Sequence, residues 1–191
     1  MTFWDDYVAA STIFGQQIMD LTDDEWFFST PCPEWDVRTI VAHVILGEAM
    51  LVDLLKGGVI EPLTDIDVSI LGPNPIATWR GTAVAAIDAA SEKEVETKKY
   101  EHPLGNIDGT TIIGLRVTEN LVHASDIAQA CGRQIELPEE LADRCLDFWA
   151  PLTDALSASD MIGDPVMPPE DASPGTRLLC LMGREINSLH D

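Results

Sequence analysis

The chain has 191 residues, 46% of them hydrophobic and 23% charged, with 13 glycines and 12 prolines; it is long enough to bury a core and too apolar to stay disordered. Its formal net charge is −22, from 33 Asp and Glu against 11 Lys and Arg. That excess repels phosphate backbones and anionic lipid surfaces, so it argues against nucleic-acid and membrane partners. It suits solubility, and it can steer cations or a basic partner.

Residues Thr2 to Asp6 are polar and acidic, unlike the basic start and apolar run of a secretory leader. The most apolar long stretch, Val41 to Leu55, carries His43, Glu48 and Asp53, which makes it a core helix rather than a membrane span. The four cysteines, Cys32, Cys131, Cys145 and Cys180, lie far apart and match neither a disulfide framework nor zinc-finger spacing. They read as reduced thiols of a cytoplasmic protein, the last three buried in helices.

A first helix is expected from Phe3 to about Leu21. Thr2 is its N-cap, Asp5 and Asp6 suit the positive end of its dipole, and Phe3, Tyr7, Ala10, Phe14 and Ile18 form an apolar face. Pro31 and Pro33 break the chain before a second helix, capped by Asp36, runs from Val37 to Lys56 and stops at Gly57-Gly58. Val59 to Gly72 reads as an acidic connector. Asn74 and Pro75 open a third helix that reaches about Ser91, and the charged stretch Glu92 to Lys99 extends or frays it. His102 to Gly109 is a turn-rich loop, after which Thr110 or Thr111 caps a fourth helix ending at Gly132. Pro138 opens a fifth helix to about Leu156, Ser157 to Ser173 is a loop, and Gly175 to Glu185 forms a last short helix. With little strand signal, no repeat and no long linker, the chain is expected to be a single all-α domain over residues 1–191, a helical bundle.

Chemistry gathers on two of these helices. Glu119 and His123 are four residues apart on the fourth, so their side chains share one face. His43 falls on the buried stripe of the second, one turn before Gly47, whose missing side chain leaves room for an ion and its water or equally for a close helix contact. Taken alone, a Glu and a His at this spacing are more often a solvated pair, and a core histidine is more often satisfied by hydrogen bonds. Asp126, three residues beyond His123, can accept a hydrogen bond from an imidazole or serve a packing contact elsewhere. Trp35 and Trp79 are expected in the core. Cys32 has no neighbour in sequence that would activate it, and His102 and His190 are expected at the surface.

Two segments carry a resemblance. Thr30-Pro31-Cys32-Pro33-Glu34-Trp35-Asp36-Val37-Arg38 with Ile40-Val41-Ala42-His43 resembles the TPCPGWxVRDLVAH segment of DinB/YfiT-like proteins of actinobacterial type, and Glu119 to Ala130 with Gly132-Arg133 resembles their ExxVHxWDLAxAxGR helix. That group includes the N-terminal domain of mycothiol-dependent maleylpyruvate isomerase. Gly163-Asp164-Pro165-Val166, Asp171-Ala172-Ser173-Pro174, Arg177-Leu178-Leu179 and Gly183-Arg184 resemble the tail of its short members. The resemblance implies a DinB-like four-helix bundle with additional short C-terminal helices. It implies a divalent metal, zinc or else nickel, manganese or iron, held by His43, Glu119 and His123, with a fourth position open as in catalytic zinc sites. It further implies a metal-dependent transferase acting on a small-molecule thiol such as mycothiol and an electrophilic substrate, and a frequent homodimer. The chain departs from the pattern in two respects: it is expected to be without the isomerase's further C-terminal domain, and the tryptophan after the second histidine is absent, since Ala124-Ser125 stand between His123 and Asp126. A non-catalytic metal- or ligand-binding module is the alternative, and two histidines with one carboxylate also suit an iron(II) facial triad.

Overall fold

The computed structural model describes residues 2–60, 65–103, 105–152 and 163–185. Expectations that fall on residues 61–64, 104, 153–162 and 186–191, His190 among them, lie outside the described residues. Contacts gather into two compact units, Met1–Gln134 and Ile135–Asp191.

In the first unit, α1 spans Phe3–Met19 and begins with a reciprocal cap: the Thr2 hydroxyl accepts from the Asp5 backbone N–H, and the Asp5 carboxylate accepts from Thr2 N. Its buried face carries Tyr7, Ala10, Phe14 and Ile18. Gly15 lies on the same face because Trp79 of the third helix presses on it; a Cβ there would sit 2.9 Å from Trp79 Cζ2. A single turn of 3-10 helix, Glu25–Phe27, and a bridge between Ser29 and Asp36 lead to α2, Val37–Leu55. Asp36 caps α2 by accepting from Thr39 N at 2.9 Å, and Gly57 with φ +93° turns the chain away. Another 3-10 turn, Val68–Leu71, precedes α3, Pro75–Ala90, which Asn74 caps through Ala77 N.

The expected loop before the fourth helix is in fact an antiparallel hairpin. Its strands are β1, Lys99–His102, and β2, Gly105–Asp108, with Lys99 opposite Asp108 and His102 opposite Gly105. Four residues per strand are too few for alternation to rise above the turn residues Pro103, Gly105 and Asn106. The α4 helix, Gly109–Ala130, is capped by Asp108 rather than by Thr110 or Thr111: the Asp108 carboxylate accepts from Thr111 N at 2.8 Å and from the Thr111 hydroxyl at 2.7 Å. Helix α1 packs on α4 and α3, and α2 packs on α3 and α4, so each of the four helices touches two others.

In the second unit, α5 covers Glu139–Trp149 and passes into a 3-10 turn, Ala150–Leu152. Helix α6, Pro174–Leu181, is capped by Ser173 and packs on α5. It stops short of Glu185 because Gly183 adopts φ +77°. Cys145 and Cys180 are buried here as expected, whereas Cys131, at the end of α4, is half-buried. Among the described residues no helix is long and apolar enough to cross a membrane.

Candidate metal centre

The contact between α2 and α4 brings His43 of one helix against Glu119 and His123 of the other. His43 Nε2 and Glu119 Oε1 are 2.9 Å apart. One donor atom from each of the three residues lies within 4.8 Å of the others. The two imidazole rings meet edge to face, with centroids 5.1 Å apart.

Two of the three donors are positioned by a polar neighbour. Asp126 Oδ2, 1% exposed as a residue, lies 3.0 Å from His123 Nδ1. An Nδ1–H donated to that carboxylate leaves the Nε2 lone pair free to bind a ligand. Glu119 Oε2 accepts from Arg116 Nη1, one turn earlier on α4. The Arg116 guanidinium also donates to Glu48 Oε1 at 3.0 Å and to the Val44 carbonyl at 3.2 Å. Glu48 is fully buried, and it accepts further from the Tyr7 hydroxyl and from Asn120 Nδ2 at 3.0 Å. Neither Arg116 nor Glu48 was expected at the site. The signal in the sequence is an opposite charge on each of two apolar stripes, Glu48 between Ile45 and Leu51 and Arg116 between Ile113 and Val117. Gly47 yields its space to this arginine, since a Cβ there would come within 2.7 Å of Arg116 Cζ.

The loop ahead of α2 supplies the third wall. Trp35 N donates to Cys32 O at 3.1 Å, and Glu34 has φ +65°. Proline at the second position and a positive φ at the third are the pattern of a type II turn; Glu34 stands where the resembling segment has glycine. The turn is tied by Thr30, whose hydroxyl donates to Trp35 O at 3.0 Å and accepts from Cys32 N at 3.2 Å. It turns Trp35 toward the histidines rather than into the core: Trp35 is half-buried, its ring centroid 5.1 Å from that of His43 and 6.1 Å from that of His123. Trp79 is buried, as expected. The turn also brings the Cys32 thiol to donate to Asp126 Oδ2 at 3.3 Å, a proximity invisible in a sequence that separates the two by more than ninety positions.

Burial alone would raise the Glu119 carboxyl, but the Arg116 guanidinium, the His43 hydrogen bond and the two imidazoles outweigh it and hold it far below the usual carboxylate range. His123 is pushed down by burial and by the charge of His43, against the raising effect of Asp126. His102, expected at the surface, is half-buried; burial lowers its pKa while the charge of Glu119 works against that. Acid should therefore unfold the metal-free protein in two stages. Both histidines have folded pKa values below the ordinary 6.5, so the unfolded chain takes up those protons first. The stability they contribute is complete above that value and is lost as pH falls from it toward their lower folded values. Glu119 adds a second loss below its ordinary 4.5. Urea midpoints between pH 8 and pH 4 will show the first stage diminished in His123→Gln; an unchanged profile in that variant would remove His123 from the account.

The donor set fits a divalent ion. Two imidazoles and one ionised carboxylate are a zinc-type complement, and donors at about 2.0–2.2 Å from one tetrahedral ion lie roughly 3.4 Å from each other, a spacing that the 4.8 Å limit on the three donors accommodates.

Residues 8–128, well over half of the chain, match the family described as "Mycothiol maleylpyruvate isomerase N-terminal domain". The chain belongs to this family. The uncharacterized protein Rv0738 of Mycobacterium tuberculosis (strain ATCC 25618 / H37Rv) is 29% identical over 133 residues, covering 70% of this chain and 69% of its own length. The uncharacterized protein MT0763 of strain CDC 1551 / Oshkosh gives the same figures. Among solved structures, the mycothiol-dependent maleylpyruvate isomerase superposes with a TM-score of 0.66 at 15% identity, covering 91% of this chain and 80% of that one. A histidine-to-alanine mutant of the isomerase superposes with a TM-score of 0.65 at 14% identity and the same coverage. At such identities the likeness concerns the fold, and the helical fold of the family is the one found here.

Proposed function

We propose that this family member binds one divalent ion, zinc foremost, through His43, Glu119 and His123, and uses it to transfer a low-molecular-weight thiol of the mycothiol kind to an electrophilic substrate. The observation that carries the reading is the convergence of three donor atoms from two helices within 4.8 Å. Family membership supports it, since the relative of the same fold is a mycothiol-dependent isomerase. None of the four cysteines forms a disulfide, in keeping with the reducing cytoplasm, where such thiols act.

A bound ion with an open position would bind the thiol sulfur and favour its thiolate at neutral pH. The chain's own residues prepare that step. Glu119 stays ionised beside Arg116 and contributes negative charge to the site. Asp126 holds His123 in one orientation. Trp35 lies beside both imidazoles, tilted 45° to His43 and 34° to His123, and adds an apolar wall to the site.

Metal content is the test, measured on protein purified without chelator or added metal. Near-stoichiometric zinc is expected in the parent, a marked loss of it in His43→Ala, and none in His123→Ala. The zinc-loaded parent should consume thiol in the presence of an electrophile. A folded parent that neither holds nor takes up zinc overturns the reading; a zinc-loaded parent inert toward thiols and electrophiles leaves the centre but removes the transferase.

A further inference from the structure

A second group of donors shares His123 with the first. Cys32 Sγ, Asp126 Oδ2 and a His123 ring nitrogen all lie within 4.8 Å of one another. Two of the separations are shorter still, 3.3 Å from sulfur to carboxylate and 3.0 Å from carboxylate to His123 Nδ1. Sulfur, nitrogen and oxygen around one zinc-like ion, at about 2.3, 2.0 and 2.1 Å, lie roughly 3.3–3.6 Å apart. Two sides of the triangle are thus already near the size that an ion would impose. Asp126 and His123 are buried and Cys32 is half-buried, so a cation there would meet a largely dry, anionic recess.

We infer that Cys32, Asp126 and His123 Nδ1 form a second metal position, suited to a thiophilic divalent cation. Soft thiolate favours such ions, and the position differs in this from the nitrogen and oxygen donors of His43 and Glu119. On binding, the Cys32 thiol proton leaves to solvent and the sulfur bonds to the cation. The His123 proton resides on Nε2, so that the Nδ1 lone pair is free. No redox change is involved. A neutral imidazole has one lone pair to give. Nδ1 serves the thiolate position and Nε2 serves the position shared with His43 and Glu119, so the chain holds one ion at a time, on one face of His123 or the other. This second position does not depend on His43 or Glu119, and it stands whether or not the thiol-transfer reading does.

Cadmium reports the sulfur directly, through the ultraviolet thiolate-to-cadmium charge-transfer band. Titration of the metal-free full chain with cadmium is expected to raise that band to saturation at one ion per chain. The band should persist in His43→Ala and Glu119→Gln and vanish in Cys32→Ser. X-ray absorption at the cadmium edge of the parent, which relies on no variant, should show one sulfur in the first shell. A parent with no charge-transfer band, a band that survives in Cys32→Ser, or a first shell of nitrogen and oxygen alone overturns the proposal. Loss of zinc from His43→Ala alongside a retained cadmium band would separate the two positions experimentally.

Discussion

Replacing Arg116 by methionine is expected to destabilise the metal-free protein by about 3–5 kcal/mol, the usual cost of removing one partner from a buried ion pair. The reason is Glu48. It is fully buried, and among the described residues it keeps, without the guanidinium, the Tyr7 hydroxyl and the Asn120 amide as partners. Methionine fills most of the arginine's volume, so the loss is electrostatic rather than a cavity effect. Adding Glu48→Gln should restore part of it, because a neutral amide needs no counter-charge in the same place. Urea unfolding of the parent, both single variants and the double variant measures the coupling. A loss below about 1 kcal/mol, typical of exposed pairs, would show that water reaches Glu48 in solution. The single variant should also release Glu119, whose carboxyl then rises toward the ordinary range as its main cationic neighbour disappears.

Replacing Asp126 by alanine is expected to weaken zinc binding by about 10–100-fold, the usual cost of losing the group that orients a ligating histidine. The Asp126 carboxylate fixes the His123 ring through Nδ1; without it, Nε2 is presented only part of the time. Competition with a chromophoric chelator gives the affinity, and circular dichroism checks that the helices remain. Asp126→Asn should fall between parent and alanine, since the amide oxygen still accepts from Nδ1–H but carries no charge. Equal zinc affinity in parent and alanine variant would mean that packing against Trp35 alone orients the ring.

Most of the helical frame was legible because each helix carries its own start and stop signals. Thr2, Asp36 and Asn74 cap α1, α2 and α3 as read, and Gly57 ends α2 with a positive φ. The errors have local causes. Thr110 and Thr111 are good cap residues in type, but Asp108 comes earlier and reaches the same Thr111 amide. The hairpin reads as a loop in the sequence because its stability comes from cross-strand pairing rather than from side-chain alternation. At the site, His43, Glu119 and His123 were singled out through resemblance, and the chain brings them together. Arg116, Glu48, Trp35 and Cys32 were missed in that role. Their relevance lies in tertiary contacts among α2, α4 and the preceding loop, and no spacing within one helix encodes those.

The division of Glu119 between two partners bears on which ions the centre admits. With Oε2 engaged by a guanidinium that Glu48 and the Val44 carbonyl also grip, the carboxylate can turn only Oε1 toward an ion. Calcium seeks six to eight oxygen donors and commonly a bidentate carboxylate, while magnesium keeps most of its water and prefers an oxygen octahedron. Neither finds that coordination beside two imidazoles and one oxygen. In the proposed centre, the alkaline-earth ions drawn to a chain of net charge −22 would be disfavoured by the geometry of a single side chain, and transition metals would be left to compete for it.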